Sequence, residues 1–191
     1  MMATSDNEMA RSDLPESILE MAQSDMDLKC KYATGSQCYE SLKGTDHKYC
    51  SLHINIHSLP AKLEQLKLII SEIHKIKIRV HFILLCETFL NNNSQALCNI
   101  DSYNLVCKNR DSKGGGVAIY VHDSLNFKER PDLSVNVQKE FESIFIEVKQ
   151  TPRPIIVGEI YRVPNTNEAI SIDRFITVIW SVNQVGCYHW N

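Results

Sequence analysis

The sequence predicts a layered fold of the α/β or α+β class, and three patterns early in the chain carry this prediction. Apolar and polar residues alternate over residues 50–56, which is typical of a strand with one buried face. A helical spacing of apolar residues follows, formed by Leu63, Leu66, Ile69, Ile70 and Ile73. Residues 80–86 (VHFILLC) are almost wholly apolar and predict a strand covered on both faces.

The elements between and after these three are predicted from turn signals and alternation. Ser58 and Pro60 mark the start of the helix, and residues 91–94 read as a polar loop. Alternation at 103–107, the turn 111–116 (DSKGGG) and the apolar run 117–121 predict a β-hairpin.

Two further strands are predicted at 143–148 and 154–161, and a helix at 170–182. Strands this close in sequence, after one strand–helix–strand unit, favour a mixed layered fold over a uniform βαβ series. The acidic, Ser- and Asp-rich residues 1–27 are expected to form a disordered tail.

Composition narrows the class of protein. The 191 residues are 43% hydrophobic and 23% charged, with a net charge of -3, which is ordinary for a globular domain with a tail. This balance argues against nucleic-acid binding by bulk charge, although it is compatible with a local basic patch. No apolar run is long enough to span a membrane, and residues 1–27 contain no apolar signal region.

The seven cysteines form an odd set, and none of them shows the short pair spacing of zinc knuckles. They are therefore expected to be reduced thiols of an intracellular protein, either cytoplasmic or nuclear.

Candidate metal ligands stand where two predicted strands end. Asn55 and Glu87 each follow a strand, and neighbouring strand ends of α/β sheets are where ligand sites gather. One carboxylate and one amide oxygen suit Mg²⁺, which keeps several of its waters. The alternative is that Asn55 caps the following helix and Glu87 is a solvated strand end.

Two other segments have residues that suit metal or phosphate binding. His53, Asn55 and His57 share one strand face and suggest a transition-metal site, but the sequence offers no obvious third ligand, so a polar or partner-facing strand side is favoured. Tyr161 and Arg162 end an apolar strand and are suited to phosphate, although the segment also fits an ordinary strand-to-loop junction. The glycines at 114–116 precede a strand rather than a helix, which favours a turn over a phosphate loop.

Taken in order, five segments resemble the endonuclease/exonuclease/phosphatase superfamily, and within it the apurinic-endonuclease-like domain of non-LTR retrotransposon polyproteins. The segments are LHINIHSL at 52–59, LLCETFL at 84–90, GGGVAIYV at 114–121, ESIFIE at 142–147 and GEIYRVPN at 158–165. The resemblance implies a partial domain of this family over 28–170, followed by a divergent C-terminal helix or tail at 171–191. It also implies an α+β, deoxyribonuclease I-like fold, a four-layer sandwich of two sheets flanked by helices.

The resemblance further implies residue roles. Glu87 and Asn55 would hold the catalytic Mg²⁺, and Tyr161 would position the scissile phosphate, so these three are the implied catalytic residues. Arg162 and Asn165 would contact phosphate or DNA. The implied hydrolase reaction is a nick in target DNA, made by in-line attack of water, whose free end primes reverse transcription.

The chain also departs from the family pattern. His57 stands where the family has Arg, and Phe89 where it has Trp. The family continues with a Gly-Asp-Phe-Asn type loop and closes with an Asp-His pair, and neither follows Tyr161 here. Only the N-terminal part of the domain is therefore expected, and it would be catalytically incomplete. The partners that the resemblance implies are DNA and the missing C-terminal half or polymerase domain.

Two alternatives stay open at this point. The chain is a working nuclease completed by a continuation, or it is a non-catalytic nucleic-acid-binding or interaction remnant of the same fold.

Overall fold

The architecture is seen in a computed structural model that describes residue 40 and residues 48–109, 114–137, 140–150 and 152–164. The described residues all lie in one unit of the chain. The predicted tail at 1–27, the predicted helix at 170–182 and Asn165 lie outside the described residues, so the domain boundaries stay predictions.

The first sheet has four strands in the order β1-β2-β4-β3. Its strands are β1 (Ser51–Asn55), β2 (Phe82–Cys86), β3 (Tyr103–Lys108) and β4 (Val117–His122). β1 and β2 are parallel and the other pairs are antiparallel, so the sheet is mixed. The predicted strands and the predicted hairpin are confirmed.

Helix α1 (Leu59–Lys75) connects β1 to β2 and covers one face of the first sheet. The helix begins at the predicted place, with proline in its first turn, where the missing N–H is tolerated. Its buried side is formed by Leu59, Leu63, Leu66, Ile70 and Ile73. Ile69, predicted to be buried with them, is 39% exposed and lies at the border of the apolar stripe.

The second sheet is antiparallel, in the order β5-β6-β7. It consists of β5 (Phe127–Glu129), β6 (Phe141–Val148) and β7 (Ile155–Arg162). The two predicted strands at 143–148 and 154–161 are confirmed, and β6 begins two residues earlier than predicted. Since β6 and β7 pair over their full lengths, alternate side chains of both strands point to the same face.

Two short elements differ from the sequence prediction. The segment predicted as a loop at 91–94 instead forms most of helix α2 (Asn92–Gln95). The Asn91 side chain accepts hydrogen bonds from two backbone N–H groups at the start of this helix, and the Asn91 N–H donates to the Ser94 hydroxyl. These bonds form a capping box that stabilises the helix start. β5 and the 3₁₀ turn Pro131–Leu133 were not predicted, since three residues are too few to show a period.

Three apolar clusters hold the layers together. The first joins α1 to one face of the first sheet. The second joins the other face of that sheet to the second sheet, with Val117, Ile119 and Val121 meeting Ile144, Ile146 and Val148. The third, Leu133, Phe141 and Phe145, lies on the far side of the second sheet.

The fold therefore has two sheets, one mixed and one antiparallel, with few helices, which is compatible with the predicted α+β class. In the described part of the chain the layers are helix, sheet and sheet, so the fourth, outer helical layer stays a prediction. Within that part, no helix is both long enough and apolar enough to cross a membrane.

Candidate functional site

Side chains from both sheets converge where β1 and β2 end. Asn55 is the last residue of β1 and pairs with Cys86, the last residue of β2, so Glu87 follows at the same sheet edge. Tyr161 lies on β7 opposite Glu142 and contributes to the apolar cluster between the sheets. The facing sheets thus bring Asn55, Glu87 and Tyr161 together, although the sequence separates Glu87 from Tyr161 by 74 positions.

The carboxylate of Glu87 is the centre of this group. Its Oε1 accepts from Asn55 Nδ2 and from Tyr161 Oη, each at 2.8 Å. Its Oε2 lies 2.8 Å from His57 Nδ1. The hydrogen bond from His57, followed by those from Asn55 and Tyr161, holds the pKa of Glu87 below its ordinary value and outweighs the effect of its burial. Glu87 is therefore an anion at neutral pH.

Tyr161 stays a hydrogen-bond donor under the same conditions. Burial raises the pKa of Tyr161, and the hydrogen bond to the Glu87 carboxylate raises it further. A phenol that keeps its proton can donate to an anionic oxygen, which is what positioning of a phosphate would require.

The loops that present these residues have unusual backbone geometry. His57 and Ser58, after β1, have φ of 47° and 86°, and Glu87 and Phe89, after β2, both have φ of 53°. Such values are rare for residues other than glycine and occur where surrounding structure enforces them, often at functional sites.

Backbone hydrogen bonds provide that enforcement. Ser58 N–H donates to the carbonyl of Glu87 at 2.9 Å, and Leu59 N–H to that of Thr88 at 2.9 Å. Phe89 N–H in turn donates to Gly115, also at 2.9 Å. These hydrogen bonds therefore connect three segments that are distant in sequence around Glu87.

The glycine turn before β4 leaves room for the loop that carries Glu87. Gly116 has φ of 87°, and a Cβ atom there would lie 2.6 Å from Thr88 Oγ1, so a side chain would displace the loop that carries Glu87. Its N–H donates to Glu142 Oε2 at 2.7 Å. The preference for a turn over a phosphate loop agrees with these contacts.

The two departures from the family pattern contact each other. The rings of His57 and Phe89 meet edge to face, with centroids 5.0 Å apart. The His57 side chain, which is 70% exposed, therefore packs against Phe89 while its Nδ1 contacts the Glu87 carboxylate. The sequence alone did not reveal that these two positions are coupled.

A second polar group lies deeper between the sheets. His53 Nε2 is 3.1 Å from Glu159 Oε1, and Cys86 lies beside them. Burial, followed by the carboxylates of Glu159 and Glu87, raises the pKa of Cys86 to about 11. Burial also raises the pKa of Glu159, against the opposing effect of His53. The strand pattern pointed to His53 but could not identify these partners.

The structure does not bring Arg162 to this place. Arg162 pairs with Phe141 and Tyr161 with Glu142, so alternation puts Arg162 and Tyr161 on opposite faces of the second sheet. Its role in phosphate contact stays a prediction, as does that of Asn165, which lies outside the described residues.

One solved nuclease structure is similar to this chain in fold. No protein-family model matches the chain. No curated protein matches it. Among solved structures, it is similar to the endonuclease domain of TRAS1, a telomere-specific non-LTR retrotransposon, at 14% identity and a TM-score of 0.48. The match covers 72% of this chain and 53% of the other, so the chain spans about half the length of that domain.

Proposed function

We propose that this chain is part of a Mg²⁺-dependent, DNA-nicking endonuclease domain of the kind carried by non-LTR retrotransposons. The observation that supports it most is the convergence on Glu87 of Asn55 and Tyr161, the residues that the family motifs single out. Each of these contacts joins separate strands, and one joins separate sheets.

The residues present fit a hard divalent cation. Glu87 is ionised, and its side chain is 17% exposed, so an ion can reach it from solvent. Asn55 meets Glu87 through Nδ2, which leaves Oδ1, the atom that would bind the ion, uncommitted to Glu87. One carboxylate, one amide oxygen and retained waters are a common ligand set for Mg²⁺.

Each residue has a definite task in the proposed reaction. Glu87 and Asn55 would hold the ion, and Tyr161 would donate its hydrogen bond to a phosphate oxygen of the DNA strand. The bound ion would supply Lewis-acid stabilisation of charge on the phosphoryl oxygens. His57 would leave Oε2 of Glu87 as the ion binds, and its high exposure allows this movement.

The chain is proposed to be incomplete as a catalyst. In-line attack also needs a group that takes the proton of the attacking water. The family supplies this group from the loop and the Asp-His pair that do not follow Tyr161 in this sequence. We therefore expect metal binding by this chain, and nicking only when a group that takes the proton of the attacking water is supplied.

The first test is a Mn²⁺ titration followed by electron paramagnetic resonance, with Mg²⁺ as competitor. One bound Mn²⁺ displaced by Mg²⁺ is expected for the wild-type chain, with a loss of affinity of roughly tenfold or more in Glu87→Gln, because a neutral amide replaces the anionic ligand. Glu64→Gln, a change on the exposed side of α1, is the matched control and should bind as the wild type does.

The same preparations are then incubated with supercoiled plasmid and Mg²⁺. Metal binding at Glu87 without nicking is the expected result. Nicking that Glu87→Gln abolishes would keep the endonuclease function and reject incompleteness. Equal Mn²⁺ affinity in wild type and Glu87→Gln would overturn the metal site, and metal-independent, salt-sensitive DNA binding would then favour the non-catalytic remnant.

A further inference from the structure

The deeper polar group between the sheets has the composition of a metal site. His53 on β1, Cys86 on β2 and Glu159 on β7 offer an imidazole nitrogen, a sulfur and a carboxylate oxygen, all within 4.8 Å of one another. We call these three residues the His53–Cys86–Glu159 cluster. These three ligands come from three different strands, and His57, the second histidine of the predicted strand-face site, is not among them because it contacts Glu87.

Strand register places His53 and Glu159 further from the sheet edge than Glu87, whereas Cys86, which pairs with Asn55, lies directly beside it. His53 precedes Asn55 by two residues on one strand face, and Glu159 precedes Tyr161 in the same way. With a rise of about 3.3 Å per residue, a shift of two residues is about 7 Å. Paired ions in phosphoryl-transfer sites lie about 3.5–4 Å apart, so an ion held mainly by His53 and Glu159 would be separate from one held by Asn55 and Glu87.

The donor set selects the kind of ion. Sulfur is a soft ligand that Mg²⁺ avoids, whereas Zn²⁺ accepts thiolate, imidazole and carboxylate together. Zinc bonds are about 2.0–2.3 Å long, and modest rotation of the three side chains can bring atoms this close onto one ion. Three protein ligands leave a fourth position for water.

Burial gives a second reason for an ion here. Glu159 and Cys86 are 3% and 6% exposed and lie between the sheets. A buried carboxylate is unfavourable unless it is paired or bound to a metal. Here His53, 3.1 Å away, is the pairing partner of Glu159, and an ion bound by both side chains would take over that role. His53 keeps 60% of its side chain exposed, so an ion has access from solvent past a ring that is able to turn.

We propose that the His53–Cys86–Glu159 cluster binds one Zn²⁺ and thereby links β1 and β2 to β7 across the two sheets. Binding forms a zinc–sulfur bond at Cys86 and releases the thiol proton to solvent. The proposal does not rest on the endonuclease function, since it uses none of Asn55, Glu87 and Tyr161.

Cobalt substitution is the direct test, because Co²⁺ bound to a thiolate gives a charge-transfer absorption in the near ultraviolet. One Co²⁺ per chain, displaced by Zn²⁺, is expected to give this absorption in the wild-type protein. Cys86→Ala should abolish it. His53→Ala should lower the affinity by more than the roughly 10–100-fold that loss of a supporting hydrogen-bond partner costs.

The controls separate this site from its surroundings. Cys107→Ser, on the opposite face of the first sheet, should keep the absorption, and so should Glu87→Gln. Zn²⁺ should also raise the melting temperature of the wild type but not of His53→Ala, whose exposed side chain makes a folding defect easy to exclude by circular dichroism. Absorption that persists in Cys86→Ala, or no cobalt binding by folded wild-type protein, would overturn the proposal.

Discussion

Glu87 shows how one carboxylate can organise a site. It accepts from an amide and a phenol and meets an imidazole, and its backbone is held in a left-handed conformation by neighbours from two other segments. A hydrogen bond to a charged group contributes more than a neutral one, and leaving such a group without partners is costly. The side chains around Glu87 therefore matter for stability as well as for ion binding.

Removal of the Tyr161 hydroxyl should reveal this contribution. We expect Tyr161→Phe to lower the free energy of unfolding by about 1–2 kcal/mol, because a charged acceptor loses one of its donors. Urea unfolding at neutral pH measures the effect.

Tyr49→Phe is the matched control for this change. The Tyr49 hydroxyl donates at the same distance, 2.8 Å, to the neutral side chain of Gln150. Its loss should cost less, about 0.5–1 kcal/mol. If Tyr161→Phe lowers the free energy of unfolding no more than Tyr49→Phe does, the charge of Glu87 does not strengthen the hydrogen bond from Tyr161.

His81, at the other end of β2 from the candidate site, ties stability to pH. Its Nδ1 accepts from the N–H of Cys50 at 3.1 Å, which only the neutral ring can do. Burial, followed by the nearby positive charges of Arg79 and His122, lowers the pKa of His81 below 6.5. The folded state therefore resists a proton that the unfolded chain accepts.

The sign of the pH effect follows from this difference. Stability that is present above pH 6.5 should be lost as the pH falls through 6.5 toward the lower folded-state pKa, since the unfolded chain binds more protons there. His81→Asn keeps an acceptor but does not titrate, so the loss between pH 7.5 and 5 should be smaller in this variant. Urea unfolding at both pH values measures it.

The exposed His74 provides the comparison for His81. His74→Asn should retain the wild-type dependence on pH. If His81→Asn loses as much stability on acidification as the wild type, the hydrogen bond from Cys50 is not the linked group.

At the scale of elements, the pairing of β6 with β7 depends on one glycine. Gly158 pairs directly with Phe145, and the ring of Phe145 lies over the space that a side chain at 158 would need. A Cβ there would overlap Phe145 Cε1. Glycine in a strand marks such a close approach, and here it lets an aromatic ring complete the third apolar cluster.

Gly158→Ala should therefore destabilise the second sheet. We expect a loss of about 1–3 kcal/mol in the free energy of unfolding, as found when a packed core is overfilled. Thermal and urea unfolding measure the loss.

A second substitution tests the cause. Phe145→Leu creates space, so Gly158→Ala should cost less in the Phe145→Leu background than alone, a coupling that a double-mutant cycle detects. Strictly additive losses would show that the ring is not what excludes the methyl group.

At the scale of the whole molecule, local patterns predicted most of the described elements. Each of the first three elements shows its hydrophobic pattern within one short segment. These elements are β1 with its alternation, α1 with its apolar stripe and β2 with its apolar run, and the structure contains all three. The hairpin of β3 and β4 also followed from a turn between two runs. Asn55, Glu87 and Tyr161 were singled out by motif order, and the structure brings them together.

What the sequence did not predict depends on distant contacts or on very short elements. Helix α2 rests on one capping side chain, and β5 is three residues long. The partners of His53 lie on two other strands, one of them in the other sheet, and no spacing rule relates residues 106 positions apart. Such contacts exist only after the sheets have packed.

The division into two sheets also gives an order to folding. During synthesis, β1 to β4 leave the ribosome before β6 and β7, so the first sheet can pair while its inner face, with Val117 and Ile119, is still uncovered. While it is uncovered, this apolar face can aggregate or bind chaperones. Glu87 gains Tyr161, and His53 gains Glu159, only when the second sheet docks. Among the described strands, these two bonds can therefore form only after β7 has docked, and mutations that slow this docking would lengthen the time for which the inner face of the first sheet is uncovered.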